Sequence, residues 1–265
     1  MLKKTTRKIF AKAFRCGAGQ SAQTEINLTI LNAGLFFGIL VCSFLLLLIW
    51  AMPNVKFATI VPIVFSAGLL ISPYGIYRAV RRSRLYWQGK EGEKRVSELL
   101  EPILPKDNYI LSAFPGGGYD IDFVLVGPSG VYAIEVKNPS VYTKDDRIIY
   151  KDGFLFIDST ETKRPRPLKK PDPLKQVRGN CFSLKKLLQE KLNKSYFIKG
   201  VVLFPDRYVN EFNEKGIMTF NPERFVSAHL AKAPPELEAY EVGNILRELR
   251  AHVKNVLELE QQENN

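Results

Sequence analysis

Two pairs of charged residues form the part of this sequence that could do chemistry. Asp120 and Asp122 are two residues apart, as are Glu135 and Lys137, and the connection 127–130 between the pairs has the composition of a tight turn. Residues two apart lie on the same face of a strand. If residues 126 and 131 pair across an antiparallel hairpin, Asp122 lies opposite Glu135 and Asp120 lies opposite Lys137. Three carboxylates and one ammonium group then converge at one end of the hairpin.

Directly opposed carboxylates destabilise a pair of strands unless another charge compensates for them. A hard divalent cation bound by carboxylate oxygens is one such compensation, and a neighbouring lysine can orient or deprotonate a water. The other interpretation is an exposed edge hairpin whose alternate residues are simply solvated. Apolar residues on both faces of the two strands, such as Val124 and Ala133 beside the charges, favour central strands and therefore the metal site.

The segments around this hairpin predict an α/β fold. Apolar residues at helical spacing predict a helix over 87–104 that ends before Pro105. Asp172 and Pro173 suit the N-cap and first turn of a helix ending near residue 192, and a further helix follows Pro235. Strands are predicted at 109–114, 121–126, 131–136, 147–150, 154–157 and 197–204, and a short helix opens at 221–222. This order describes a mixed sheet flanked by helices.

Three stretches of the sequence resemble the nuclease-related domain (NERD) family. They are Gly89-Lys-Glu-Gly-Glu93, Tyr119-Asp-Ile-Asp122 and Gly130-Val-Tyr-Ala-Ile-Glu-Val-Lys-Asn138, and the resemblance covers about residues 85–205. The family belongs to the PD-(D/E)xK nuclease superfamily, so the resemblance implies a restriction-endonuclease-like mixed sheet. The stretch with E-x-K is the most specific match. One departure is Phe123, where relatives often carry histidine.

The resemblance implies a metal-dependent phosphodiester hydrolase. In the superfamily an Asp and the E-x-K motif hold Mg²⁺ or Mn²⁺, which carries over to Asp122, Glu135 and Lys137, with the two carboxylates as metal ligands. A glutamate on the first helix matches Glu93, and a glutamine on the following helix matches Gln176. The implied catalytic set is these five residues, the implied cofactor is Mg²⁺ or Mn²⁺, and the implied partner is nucleic acid, with DNA expected.

The distribution of charge separates the first third of the chain from the rest. The 265 residues have a formal net charge of +11, yet residues 1–90 hold 12 basic residues and a single acidic one, Glu25, which leaves 26 basic and 26 acidic residues elsewhere. A general affinity for polyanions is therefore not indicated. The composition, 46% apolar and 25% charged, excludes a wholly disordered chain and a collagen-like repeat. The three widely spaced cysteines predict neither a metal site nor a structural disulfide.

Two uncharged runs in the basic first third predict a transmembrane hairpin. Residues 28–50 and 57–77 are 23 and 21 residues long. At 1.5 Å per residue, each just exceeds the roughly 30 Å of a bilayer core. The alternatives are a signal peptide, whose apolar region is shorter and is not followed by a second run, and a buried core hairpin. Basic residues flank both runs, with Lys56 alone between them, so both termini are expected in the cytoplasm and the protein in the inner cell membrane.

These segments predict a chain of five parts. They are a basic cytoplasmic N-terminal segment 1–27, transmembrane helices 28–50 and 57–77, a NERD nuclease-like domain 85–232 and a C-terminal helix 233–265. The apolar stripe of the last helix continues for only about two heptads, fewer than a coiled coil requires. This helix can either dock on the domain or form a homo-oligomer by pairing with another copy.

An irregular basic loop over 160–170 is a second candidate binding feature. Its side chains could contact phosphates, remain solvated, or face the anionic lipid of the inner leaflet. The candidate nucleic-acid-binding residues are Lys163, Arg164, Arg166, Lys169 and Lys170.

Two classes of function fit the sequence. The first is a membrane-anchored, metal-dependent endonuclease that cleaves nucleic acid at the cytoplasmic face. The second is a catalytically silent membrane-anchored adaptor that uses a nuclease fold to bind nucleic acid or a protein. The presence of Asp122, Glu135 and Lys137 together favours the enzyme, because a degenerate copy would be expected to have lost one of them.

Overall fold

The computed structural model describes most of the chain from residue 60 onward. The described residues are 60–116, 120–139, 143, 145–159, 161, 162, 164–168 and 172–263, together with 31, 34–42, 44, 45 and 48. The chain divides into two compact units, whose described residues lie within 19–88 and within 89–265.

The first unit contains helical residues 34–42 and the beginning of helix α1, which extends over Ile60–Ile103. A Cβ atom on Gly75 would lie 2.7 Å from the ring of Phe36, so the two helical segments approach closely there. Within the described residues, no helix is both long enough and apolar enough to cross a membrane. Ten of the 23 residues of the predicted span 28–50 lie outside the described residues, and so do positions 57–59 of the second span.

The helix predicted over 87–104 is the last part of α1 and not a separate helix. No proline lies between residues 78 and 104 apart from Pro102, and the stretch 78–91 is rich in arginine, lysine and other good helix formers. The sequence therefore has no signal that would end a helix before Trp87. The predicted end before Pro105 is confirmed, because α1 ends at Ile103.

Within the described residues of the second unit, ten strands form two sheets. The larger sheet is mixed and has the order β1-β2-β3-β7-β10-β9, with β7 parallel to both β3 and β10 and the other pairs antiparallel. Its strands are β1 (Tyr109–Pro115), β2 (Asp120–Gly127), β3 (Gly130–Val136), β7 (Ile198–Leu203), β9 (Phe212–Glu214) and β10 (Ile217–Phe220). The predicted mixed sheet is confirmed.

The smaller sheet has the order β6-β5-β4-β8. Its strands are β4 (Arg147–Lys151), β5 (Phe154–Asp158), β6 (Arg166–Pro167) and β8 (Tyr208–Val209). The loop predicted over 160–170 was wrong in part, because β6 lies within it and pairs with β5. Strands of two to four residues are too short to produce a visible alternation, which is why β6, β8, β9 and β10 were not predicted.

Helices cover both faces of the larger sheet. Helix α2 (Pro173–Leu192) begins at the predicted N-cap Asp172, whose carboxylate accepts from the backbone of Leu174 and Lys175. Together with helix α3 (Ala239–Glu263) it packs on one face, whereas α1 and a π-helical segment (Phe225–Leu230) pack on the other. The π-helical segment follows the short helix Pro222–Arg224, which confirms the predicted helix start at 221–222.

The apolar stripe of α3 is buried within the chain itself. Val242, Leu246, Leu249 and Val253 pack in one core cluster with residues of β1, β2 and α2. Of the two alternatives for this helix, the described structure shows docking on its own domain, so the stripe is already covered.

A glycine allows α1 to approach the end of β3. A Cβ atom on Gly92 would lie 2.8 Å from the Cβ of Asn138 and 3.5 Å from Cγ1 of Val136. Cβ atoms do not approach one another so closely, and neither contact is with the end of a long flexible side chain. Since Glu93 is the next residue of the helix, Gly92 determines how near this carboxylate comes to the sheet. The other glycine of the Gly-x-x-Gly-Glu stretch is Gly89, where an added Cβ atom would meet nothing within 4 Å.

The two glycines therefore predict opposite effects of alanine. Gly92→Ala should lower the free energy of unfolding by about 1–3 kcal/mol, since the helix must move away from β3. Gly89→Ala is the matched control and should raise it by up to about 1 kcal/mol, because alanine is the better helix former and meets no neighbour. Chemical denaturation followed by circular dichroism measures both changes. An equal stabilisation by the two substitutions would contradict the close approach.

Candidate active site

The ladder between β2 and β3 ends where the charged residues begin. Pairing follows the predicted register as far as Phe123 opposite Ile134, one step before Asp122 and Glu135. At that point the Val136 N–H donates a hydrogen bond of 2.6 Å to Oδ2 of Asp122. A side-chain carboxylate thus replaces a backbone carbonyl as the acceptor. The register prediction is confirmed along the ladder, and the acidic pair lies just beyond its end.

Strand β1 is distorted at the same level. Ala113 has a φ of 50°, uncommon for a residue other than glycine, and neither it nor Asp122 pairs in the ladder between β1 and β2. Ile121 packs in the same core cluster as Val124, whereas Phe123 packs on the other face of the sheet. Residues two apart are expected to share a face of a strand, but Ile121 and Phe123 do not, so this expectation is wrong for them. The alternation of β2 is interrupted at Asp122, and such interruptions change the direction of a side chain.

Glu135 is held by a donor on each carboxylate oxygen. Lys137 Nζ donates to Oε1 at 2.6 Å, and Asn180 Nδ2 donates to Oε2 at 3.0 Å. The side chain of Glu135 is 6% exposed and that of Lys137 is 23% exposed. The two halves of the E-x-K motif therefore form a partly buried ion pair, and its charge-assisted hydrogen bond fixes the orientation of the carboxylate.

Asn180 was not identified by the sequence analysis. It lies on α2, is 2% exposed, and occupies a stripe whose other buried members are mainly apolar. A buried amide requires a hydrogen-bond partner, so an asparagine inside an apolar helical stripe was the available signal. Its partner is Glu135, which makes Asn180 a residue that positions the E-x-K glutamate.

Gln176 lies four residues before Asn180 on α2, on the same side of the helix. Its Oε1 atom is buried and has no hydrogen-bond partner among the described residues. An unsatisfied buried acceptor costs free energy unless a donor or a cation reaches it. The oxygen-rich set of Asp122, Glu135 and Gln176 therefore suits a hard cation. Within the described residues, no three His, Cys, Asp or Glu side chains are grouped to hold a metal, so a cation would also need amide, backbone or water oxygens.

Of the remaining candidate residues, Arg166 lies on the smaller sheet, Arg164 lies two residues before it, and three lysines lie outside the described residues. Arg164 and Arg166 are exposed, and Arg166 is the first residue of β6. Lys163, Lys169 and Lys170 fall outside the described residues.

His252 lies near the end of the sheet that carries the candidate site. Its Nε2 is 3.2 Å from the carbonyl oxygen of Pro115, which pairs with Asp120. The other histidine, His229, contacts Tyr132 instead.

Residues 88–205 match the family model described as a nuclease-related domain. The chain contains a NERD domain. The matched segment includes Glu93, Asp122, Glu135, Lys137 and Gln176, as well as Asn180. Neither the search of curated proteins nor the search of solved structures found a match.

Burial raises the pKa of three carboxyl groups of the NERD domain. Burial, followed by the charge of Glu135, raises the pKa of Glu93 to about 7, while Lys90 and Lys137 oppose the shift. Burial, with the charges of Glu135 and Glu93, raises the pKa of Asp122 well above its ordinary value, against the opposing Val136 N–H. Burial also raises the pKa of Asp120. Without a cation, this end of the sheet therefore favours protonation of its acidic groups.

The raised pKa of Glu93 predicts how stability depends on pH in EDTA. A folded pKa of about 7 against an ordinary value of 4.5 means that protonated Glu93 stabilises the fold at low pH. This contribution is fully present below about pH 4.5 and is lost as pH rises through 7, a decrease of roughly 3 kcal/mol. Glu93→Gln should remove most of that decrease, whereas the exposed control Glu91→Gln should leave it unchanged. Denaturation at pH 5, 6, 7 and 8 measures it, and identical pH slopes for Glu93→Gln and the parent would contradict it.

Asp122→Asn should separate stability from metal binding. The asparagine oxygen can still accept from the Val136 N–H, while the repulsion by Glu135 and Glu93 disappears. The melting temperature in EDTA should therefore stay constant or rise, and Mn²⁺ binding should be lost. Asp122→Ala is the control, because it also removes the acceptor and should cost about 1–3 kcal/mol. Equal destabilisation by the two substitutions would indicate a structural ion cluster.

Lys137→Ala should have the opposite signature. Without the ammonium, the buried Glu135 loses its charged partner, so stability in EDTA should fall by about 1–3 kcal/mol. Mn²⁺ affinity should be kept or increased, because an ammonium group is not a metal ligand and Oε1 becomes accessible. Calorimetric titration with Mn²⁺ and melting curves with and without Mn²⁺ test both parts. A loss of Mn²⁺ binding in this variant would contradict the assignment of Glu135 as a ligand.

Proposed function

We propose that the NERD domain is a metal-dependent endonuclease that hydrolyses phosphodiester bonds of nucleic acid, with DNA as the expected substrate. The observation that carries this proposal is the arrangement at the end of the β2–β3 ladder. Asp122 and Glu135 are adjacent there, and Lys137 neutralises Glu135. The match of residues 88–205 to a nuclease-related domain supports it.

Each residue of the site has its own role in the proposed reaction. Asp122 and Glu135 would hold Mg²⁺ or Mn²⁺, with Gln176 and Glu93 as further oxygen donors. When bound, the cation supplies a Lewis acid for the phosphate and acidifies a water. Asn180 keeps the Glu135 carboxylate in place through Oε2. Lys137 is close enough to exchange its contact with Glu135 for a phosphate oxygen, where its charge offsets the negative charge that develops during hydrolysis.

A nicking assay distinguishes this enzyme from a silent adaptor. The full chain in mild detergent should convert supercoiled plasmid to the nicked form with Mg²⁺ or Mn²⁺, but not with EDTA. Asp122→Asn and Lys137→Ala should each lower the rate by at least about a hundredfold, since each removes a group that acts at the reacting phosphate. Arg247→Ala on α3, whose side chain is 69% exposed, is the control. Binding of DNA or RNA without cleavage of either would support the adaptor instead.

We also propose that residues 28–50 and 57–77 anchor the domain at the cytoplasmic face of the inner membrane, with both termini inside. The support is their length, their lack of charge and the basic residues that flank them. A homo-oligomer of this chain would have to use a surface other than the covered stripe of α3.

Cysteine labelling tests this topology. In a chain without its three native cysteines, a cysteine at Asn54 should react with an impermeant maleimide added to intact cells. A cysteine at Lys94, whose side chain is 67% exposed, should react only after the cells are opened. Labelling of the Lys94 position from outside would contradict both the topology and a cytoplasmic nuclease.

A further inference from the structure

The four-stranded sheet has two faces of different character. Ile148, Leu155, Ile157 and Val209 pack into a core cluster and define the inner face. The period-two alternation places the intervening residues on the outer face. These are Arg147, Ile149, Lys151, Phe154, Phe156 and Tyr208, and we call this surface the aromatic–basic face. Asp158, which pairs with Arg147, adds one acidic group.

Tyr208 and Arg147 form the most exposed part of this face. They pair in register across β4 and β8, and Tyr208 is 62% exposed. The guanidinium carbon of Arg147 lies 5.3 Å from the centre of the Tyr208 ring, a cation–π contact. A guanidinium group carries several N–H donors, which can also bind a phosphate.

Tyr208 also lines an open cleft of about 710 Å³. Its lining contains two amides, Asn210 and Asn221, which can form hydrogen bonds to the edges of a base. Arg224 also lines it and is held by Glu211 at 2.7 Å. A flat ring beside an amide-lined cleft suits a planar heterocycle.

The aromatic–basic face begins close to the candidate active site. Strand β7 ends at Leu203, whose carbonyl accepts from the Lys137 N–H at 2.9 Å. Tyr208 follows five residues later, so it lies within about 18 Å of that carbonyl. The opposite edge of the sheet is β6, whose residue on this face is Pro167, because Pro167 pairs with Phe156 whereas Arg166 pairs with the inner-face residue Ile157. Three strand spacings span about 14 Å, a width that two or three nucleotides can cross.

We propose that the aromatic–basic face binds single-stranded nucleic acid beside the active site, with a base stacked on Tyr208 and a phosphate on Arg147. The bases of a duplex are already stacked on each other, so a ring on a sheet surface is reached only by unpaired bases. Basic residues outnumber the acidic one on this face, which complements a phosphate backbone. The inference rests on the proposed nuclease function, because it assigns a substrate class to the same domain.

Fluorescence anisotropy with a labelled twelve-nucleotide deoxythymidine strand tests the proposal. The full chain in mild detergent and EDTA binds without cleaving. Tyr208→Ala should weaken binding about tenfold. Tyr208→Phe should bind with the affinity of the parent chain, because stacking requires the ring and not the hydroxyl. Tyr240→Ala, which removes a tyrosine that is 64% exposed on α3, should have no effect. Arg147→Ala should reduce the slope of log K against log salt by about 0.7, and Tyr208→Ala should leave that slope unchanged.

Several results would overturn the proposal. The first is that the parent chain does not bind the strand, and the second is that Tyr208→Ala and Tyr240→Ala bind it with equal affinity. The third is that a competing twelve-base-pair duplex displaces the strand as well as unlabelled single strand does. Melting curves of Tyr208→Ala exclude unfolding as the cause of weaker binding.

Cleavage is scored separately in the nicking assay. Plasmid nicking without any dependence of binding on Tyr208 would end this inference and leave the nuclease function intact. Binding that depends on Tyr208, with no cleavage of any substrate, would end the nuclease function and leave the binding face.

Discussion

The hydrogen bond from the Val136 N–H to Asp122 is the interaction on which the rest of the site depends. It replaces a ladder contact with a side-chain contact, so that a carboxylate occupies the end of a central strand pair where a carbonyl would otherwise lie. Everything near this point then has to tolerate a concentrated negative charge. Lys137 and Asn180 saturate Glu135, and Gly92 allows α1 to bring Glu93 close. Strands β2 and β3 position Asp122 and Glu135, and helix α2 contributes the Asn180 amide that donates to Glu135.

The same groups that could bind a cation lower the stability of the metal-free domain. Ionised carboxylates whose pKa values are raised, and a buried glutamine oxygen that has no partner among the described residues, both cost free energy in the metal-free domain. Retention of the acidic set is understandable if a cation completes it, because the same groups that repel each other then become ligands.

Much of the site was predictable from the sequence because its signals are local. The turn between Val126 and Val131 fixes the register, and the register places Asp122 beside Glu135. Asp172 followed by Pro173 fixes the start of α2 and thereby Gln176. What escaped prediction depends on tertiary contacts. The positive φ of Ala113 and the changed direction of Ile121 have no sequence pattern, and strands as short as β8 show no alternation. The partner of Asn180 becomes visible only once α2 packs on β3.

The parallel pairing of β3 with β7 has a consequence for the synthesis of the chain. β1, β2 and β3 follow one another closely in the sequence and can pair as soon as they leave the ribosome. Val136 of β3, in contrast, pairs with Leu203, which is synthesised 67 residues later. Contacts of such sequence separation form late in folding. A nascent chain therefore exposes an acidic hairpin that lacks Asn180, Gln176 and the strand beside it. The group of Asp122, Glu135, Asn180 and Gln176 is therefore completed only when most of the domain has been translated.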